Sequence, residues 1–223
     1  KTSEPSVEEY LSKNTNFIAT IDFKKTIEFS DTHFVIVATP SLLNGKYDHS
    51  QVQSIIDKIK ELGTQEKKKD LVITCTVMPG YCDQIQKELE PYGWHVSYAP
   101  EFIAQGQIIY GQENPDMILI GEANKESGDK IEEIFYRMCS NIPKINKMSR
   151  LSAEVTKIGL NCFLATKIAY ANMLGDISES MGADTEKILL AIGDDSRIGN
   201  KFFKYGYGFG GTCIPRDSRV LHA

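Results

Sequence analysis

Short apolar runs alternate with amphipathic stretches along the first half of the chain. In FVIVATPS, residues 34–41, β-branched positions run together and a proline closes them. That pattern predicts a strand buried on both faces and ending in a loop. Next, SQVQSIIDKIKEL sets Val52, Ile55, Ile56, Ile59 and Leu62 at helical spacing. DLVITCTVMPG predicts a second buried strand over residues 71–75, broken at Met78-Pro79-Gly80, with a helix over 81–89. HVSYAP and DMILIG are two further strand candidates. This rhythm predicts an α/β fold with a doubly wound parallel sheet, whose strand-end loops are where ligands bind.

The second half changes character. Residues 152–181 run without proline, and as one helix they span about 45 Å at 1.5 Å per residue. Small and apolar residues cover more than one stripe of it, which predicts burial against other helices or a second subunit. A short helix in DTEKILLAIG follows, capped by Asp184 with Thr185 and stopped at Gly193. Neither an internal repeat nor a low-complexity segment is present.

Composition narrows the partners. The chain has 223 residues, 41% of them hydrophobic, and a net charge of −5. It is long enough for a sizeable core, and no Lys/Arg cluster recurs along a face, so nucleic acid and anionic membranes are not expected partners. A small polar ligand fits better. The five cysteines (Cys75, Cys82, Cys139, Cys162, Cys213) are odd in number and form no C-x-x-C pair. Free thiols, no metal site and a reducing, cytoplasmic setting are the expectation. No run approaches a membrane span and no signal segment opens the chain. The first residue is Lys1, and the last lie just past a Gly-rich motif, so a fragment cut at both ends is expected.

Several residues could carry chemistry. Lys157 and Asn161, four apart on the long helix, share a face. They are either solvated surface residues or, if they point into a cleft, an ammonium and an amide aimed at a substrate oxygen. Glu101 follows the strand ending near Tyr98, and Thr76 follows the strand 71–75; each is an ordinary loop residue or a pocket group. In YGFGGTCIPRD, residues 207–217, Gly208, Gly210 and Gly211 surround Phe209 and precede Cys213 and Asp217. Glycines permit close approach of backbone to a ligand, and backbone N–H groups favour a thiolate. The alternatives are a tight turn with an inert cysteine, or a nucleophile with an acid four residues on that orients a water or accepts a proton.

Taken in order, EPSVEEYL, VIVATPS, TVMPG, PEFIAQG with NPDMILIG, AEVTKIGLNCFLATKI, GDDSRIGNKFFK and GFGGTCIPRD resemble the nucleotide-sugar dehydrogenase family over nearly the whole chain. The resemblance implies a partial Rossmann-like NAD-binding domain over 1–148 and a central helical domain for dimerisation and substrate over 149–223. It implies four-electron oxidation of UDP-glucose, through a thiohemiacetal and a thioester on Cys213. Lys157 and Asn161 match the residues that stabilise the alkoxide and oxyanion; Asp217 and Thr76 match those around the reacting water, and Glu101 the acid/base of hydrolysis. Substrate contacts carry over to Glu101, Phe102, Ile103, Ala104, Gln105, Lys157, Asn161, Arg197, Lys204, Tyr205, Gly206, Tyr207, Gly208, Phe209 and Gly210. The NAD positions are Val37, Ala38, Thr39, Pro40, Ser41, Cys75, Thr76, Val77, Gln105 and Arg216. A homodimer or larger homo-oligomer is implied, and metal is not. The chain departs from the family at Ala99, Gln105 and Arg216, and carries no G-x-G-x-x-G before VIVATPS. It is accordingly expected to lack the first phosphate loop and the C-terminal domain, and to bind NAD poorly alone. Phe102 after Pro-Glu favours UDP-glucose over N-acetylated sugars. Other nucleotide sugars such as GDP-mannose, and a non-catalytic dimerisation module, remain as alternatives.

Overall fold

The computed structural model describes residues 3–14, 16–104 and 106–221. The chain divides into two compact units, Lys1–Pro40 with Asp48–Val155, and Ser41–Tyr47 with Thr156–Ala223. The first is a sheet unit and the second a helical unit.

In the sheet unit, α1 (Val7–Lys13) and α2 (Phe23–Phe29) precede β1 (Thr32–Val35), α3 (Ser50–Glu61), β2 (Lys69–Ile73), α4 (Tyr81–Leu89) and β3 (Trp94–Tyr98). Then come α5 (Ile108–Glu113), β4 (Met117–Glu122), α6 (Lys125–Met138) and β5 (Lys144–Ser149). The strands pair in chain order. β1, β2 and β3 are mutually parallel, as are β4 and β5, but β3 and β4 meet antiparallel where Tyr98 faces Gly121. The expected parallel sheet therefore reverses once. The connection, residues 99–116, is long enough for a parallel crossover, but the helix it carries is the six-residue α5, and the chain returns beside β3 in the opposite sense.

That reversal decides the layers. Right-handed crossovers place α3 and α4 on one face of β1–β3, and once the strands run the other way the same rule places α6 on the opposite face. Side-chain alternation agrees. Leu71, Ile73, Val96 and Leu119 join Val52, Ile56 and Ile59 of α3 and Ile85 and Leu89 of α4 in one core. Val72, Ile118 and Ile120 point the other way, toward Ile131 and Phe135 of α6. Strand β1 starts and stops earlier than the run 34–41 predicts. Its ladder ends with Val35 opposite Ile73, because β2 ends there too, and residues 36–40 become a loop.

The helical unit is built on α7 (Arg150–Met181), 32 residues and about 48 Å long, whose first turn, up to Val155, is counted with the sheet unit. α8 (Thr185–Gly193) follows, N-capped by the Asp184 carboxylate accepting from Lys187 N, and α9 (Ile214–Val220) lies near the end. Residues 41–47 fold as a small hairpin, Ser41 bridging Tyr47 and Leu42 N donating to Lys46 O at 2.8 Å. Ala171, Leu189 and Phe203 form a compact core with Leu174, Ile192 and Tyr205. Among the described residues no helix is long and apolar enough to cross a membrane.

Candidate active site

Three loops follow the carboxyl ends of the parallel strands β1, β2 and β3, the position at which open α/β sheets present ligand-binding groups. The first two are joined by the Thr39 hydroxyl, which donates to Thr76 O at 2.7 Å. Thr39 is buried, Ala38 and Pro40 are exposed, and Cys75 and Thr76 are half-buried. After β3, Glu101 is half-buried and its Oε1 accepts from Gln112 Nε2 at 3.1 Å. Phe102 and Ile103 are half-buried and Ala104 is exposed. Gln105 lies outside the described residues.

The loop after β2 is held by two side chains that the sequence did not single out. Glu154 of α7, fully buried, accepts from Gly80 N at 2.6 Å and Cys82 N at 2.8 Å, capping the start of α4 where Gly80 has φ +87° and no local side-chain cap. Burial raises the Glu154 pKa, against the opposing pull of those backbone bonds. His49 Nε2 accepts from Met78 N at 3.2 Å, and the imidazole stacks on the Tyr81 ring at 3.7 Å. Burial lowers the His49 pKa to about 4, so the ring is neutral and able to accept at neutral pH.

The helical unit gathers five of the sequence candidates. One stripe of α7 is buried, and it carries Lys157 and Asn161 at 7% and 9% exposure. Asn161 Nδ2 donates to Asp217 Oδ2 at 2.6 Å; Arg216 Nε donates to Oδ1 at 3.0 Å. Asp217 is fully buried, so it can act only on a proton or water enclosed with it. Cys213 stands one turn earlier, at the N-cap of α9, exposed, its Sγ 3.6 Å from Thr212 Oγ1. Cys162 Sγ donates to Asp217 O at 3.6 Å, and burial raises that thiol's pKa.

A sixth member was missed by sequence reasoning. The Tyr47 hydroxyl donates to Asp217 Oδ1 at 2.6 Å, and the Arg216 guanidinium lies over the Tyr47 ring, 4.8 Å from its centre. Burial, then the bond to Asp217, push the Tyr47 pKa far up, so the phenol stays protonated and remains a donor. Burial alone would lower the Arg216 pKa, but the Asp217 carboxylate beside it outweighs burial and raises it, so the guanidinium stays charged. No signal along the chain links Tyr47 to a partner 170 residues away.

The Gly-rich loop is tied to α7 at its start. Tyr205 OH donates to Asp176 at 3.0 Å and Glu179 at 3.1 Å, and Gly206 N donates to Asn172 Oδ1 at 3.0 Å. Gly175 makes room for this: a Cβ there would collide with the Tyr205 ring. Lys204 and residues 206–210 are exposed, Tyr207 completely. Arg197 does not join the Asp217 cluster; it is exposed and pairs with Asp195 at 2.6 Å. Asn172 had a legible signal, a polar residue three turns from Asn161 on a helix otherwise small and apolar.

Residues 1–139 match the NAD binding domain of the UDP-glucose/GDP-mannose dehydrogenase family, and residues 151–223 match that family's central domain. A UDP-glucose 6-dehydrogenase from Bacillus subtilis (strain 168) is 35% identical over 98% of this chain and 50% of its own length. The UDP-glucose 6-dehydrogenase of Rickettsia bellii (strain RML369-C) is 36% identical over 90% of this chain and 46% of its own. The solved structure of a UDP-glucose dehydrogenase from Pyrobaculum islandicum superposes with a TM-score of 0.86 at 27% identity, covering 98% of this chain and 52% of that one. A GDP-mannose dehydrogenase ternary complex from Pseudomonas aeruginosa gives 0.72 at 28% identity, over 91% and 48%. The chain spans about half the length of the curated relatives it matches.

Proposed function

The chain belongs to the UDP-glucose/GDP-mannose dehydrogenase family, and from that premise we propose that the full-length protein oxidises UDP-glucose to UDP-glucuronate through a covalent intermediate on Cys213. The observation that carries the reading is the Asp217 cluster. A buried carboxylate is held by Asn161 on the stripe of Lys157, one helical turn after an exposed cysteine. A structural turn has no need of that set.

The chemistry assigns each group a step. Alcohol to acid is a four-electron change taken in two stages, with an aldehyde between them. The Cys213 thiolate attacks the aldehyde carbon, forming a C–S bond and an alkoxide. The Lys157 ammonium and the Asn161 amide, which has one N–H on Asp217 and a second to donate, stabilise that oxygen. Loss of two further electrons leaves a thioester. Water then attacks the carbonyl, the C–S bond breaks, and the thiolate of Cys213 is regenerated. Glu101 accepts the water's proton, with Asp217 and Thr76 orienting the water. NAD⁺, when bound, accepts two electrons in each stage.

The residues present fit that cofactor. Small and partly exposed side chains (Ala38, Pro40, Cys75, Thr76) sit on neighbouring strand-end loops, joined by the bond from Thr39 to Thr76. Val37 to Ser41, Cys75 to Val77, Gln105 and Arg216 are the proposed holding set. Phe102 to Gln105, Arg197 and Lys204 to Gly210 are assigned to the nucleotide sugar, and Phe102 supports UDP-glucose over an N-acetylated sugar. We keep 148/149 as the functional boundary between the two regions. An exposed apolar stripe on α7, with Phe163, Tyr170, Met173 and Ile177 all about half exposed or more, supports a homodimer through that helix. Five free thiols support a cytoplasmic setting.

The test is Cys213→Ser in the full-length enzyme. It should fold and bind UDP-glucose, while turnover falls by about a thousandfold or more, since a serine hydroxyl lacks the thiolate's nucleophilicity. Near wild-type turnover would overturn the covalent assignment.

A further inference from the structure

Resting on that reading, the geometry points to Tyr47 as a positioning residue for Asp217: its hydroxyl fixes the carboxylate's orientation for the hydrolytic step. Tyr47 is 3% exposed and Asp217 is fully buried, so neither group exchanges its partner for bulk water. Oδ1 takes two donors, the Tyr47 hydroxyl at 2.6 Å and Arg216 Nε at 3.0 Å. Oδ2 takes Asn161 Nδ2 at 2.6 Å. With both lone pairs of Oδ1 engaged, Oδ2 is the oxygen with capacity left for a water or a proton.

The groups facing the carboxylate come from three elements. Asn161 lies on α7, with Lys157 one turn earlier on the same stripe and Cys162 bonded to the Asp217 main-chain carbonyl; Arg216 lies on α9; Tyr47 closes the hairpin. Arg216 supplies charge, but its guanidinium also rests on the Tyr47 ring, so the ring orients the cation and the hydroxyl orients the anion. Tyr47 is thus the common support of the pair. Its hairpin, 41–47, follows directly in the chain on residues 37–41, the segment assigned to the cofactor. A phenol that stays protonated in the working range supplies its hydrogen bond to the carboxylate without adding charge.

The experiment is Tyr47→Phe in the full-length enzyme, which keeps the ring under Arg216 and deletes only the donor. Expected are a fall in kcat of about tenfold and a KM for UDP-glucose within about twofold. A merely structural role would lower the melting temperature and leave the kcat of the folded enzyme within about twofold of wild type, and this outcome overturns the proposal. Tyr47→His, a ring that donates through N–H, should recover part of the rate above the imidazole's own pKa and add a new limb near neutrality; absence of both overturns the proposal and decides it should Tyr47→Phe not fold. Cys213→Ser is measured alongside. If it remains active, the covalent reading fails; if it is dead while Tyr47→Phe is unaltered, only the role of Tyr47 fails.

Discussion

Replacing Glu154 with alanine removes the one side chain of α7 that caps the start of α4. Both carboxylate oxygens accept backbone N–H groups, from half-buried Gly80 at 2.6 Å and buried Cys82 at 2.8 Å, so the cost of an orphaned buried amide is an upper bound for Gly80. A buried donor left without a partner costs about 1–3 kcal/mol, so two orphaned amides put the gross loss at about 2–6 kcal/mol. Against this, deleting a buried carboxylate removes its own desolvation cost, the same cost that raises its pKa. The net expectation is about 2 kcal/mol, the middle of the range for a lost buried network. Urea unfolding of the full-length protein and its Glu154→Ala variant measures it, and hydrogen exchange locates it: the Gly80 and Cys82 amides should exchange about 30-fold faster, with α6 unaffected. Glu154→Gln, which keeps one acceptor oxygen, should lose about half as much. An unchanged midpoint together with unchanged exchange at those two amides would refute the reasoning.

His49 gives a signed pH dependence. Its folded pKa of about 4 lies below the usual 6.5, so the unfolded chain binds more protons between those values, and stability falls as pH drops through that window by up to ~3 kcal/mol. His49→Phe should not show this slope in thermal unfolding across the same range, and an identical slope would count against it. Gly175→Ala gains about 1 kcal/mol of helix propensity but must displace the Tyr205 ring, at about 1–3 kcal/mol; unfolding should show a net loss and UDP-glucose affinity should weaken, whereas a more stable variant contradicts the packing account. If the full-length protein forms the homodimer proposed through α7, Ile177→Asp on its exposed stripe should dissociate it in sedimentation, and an unaltered sedimentation coefficient removes that helix from the interface.

Much of the fold was legible because its signals are local. Apolar runs long enough to be buried on both faces announced β2, β3 and β4, and the proline-free stretch 152–181 announced α7. The Asp184 cap of α8 was visible in three residues. Strand β5 was not, since KINKMS has no apolar run and the strand is largely exposed. The reversal between β3 and β4 was hidden for another reason: the connection 99–116 is long enough for either sense, and no pattern along it says which way the chain returns. Within the candidate site, residue type and helical spacing brought out Lys157, Asn161 and Asp217, yet the bond from Asn161 to Asp217 joins residues 56 apart. Tyr47 and Glu154 escaped because their roles are made by tertiary contact alone. A tyrosine in a loop and a glutamate in a helix read as ordinary surface residues until their partners are known.

The central claim is that Cys213 carries the substrate covalently, and the most direct measurement is the mass of the enzyme caught in the act. In the full-length Glu101→Gln variant, loss of the group assigned to hydrolysis should let the thioester accumulate, so that acid quenching after one turnover and peptide mass analysis find the UDP-sugar acyl adduct. The account predicts that adduct on the peptide containing Cys213 and its absence once Cys213 is replaced by serine. An adduct on Cys75, Cys82, Cys139 or Cys162, or full oxidation to the acid with no adduct at any time point, would contradict it.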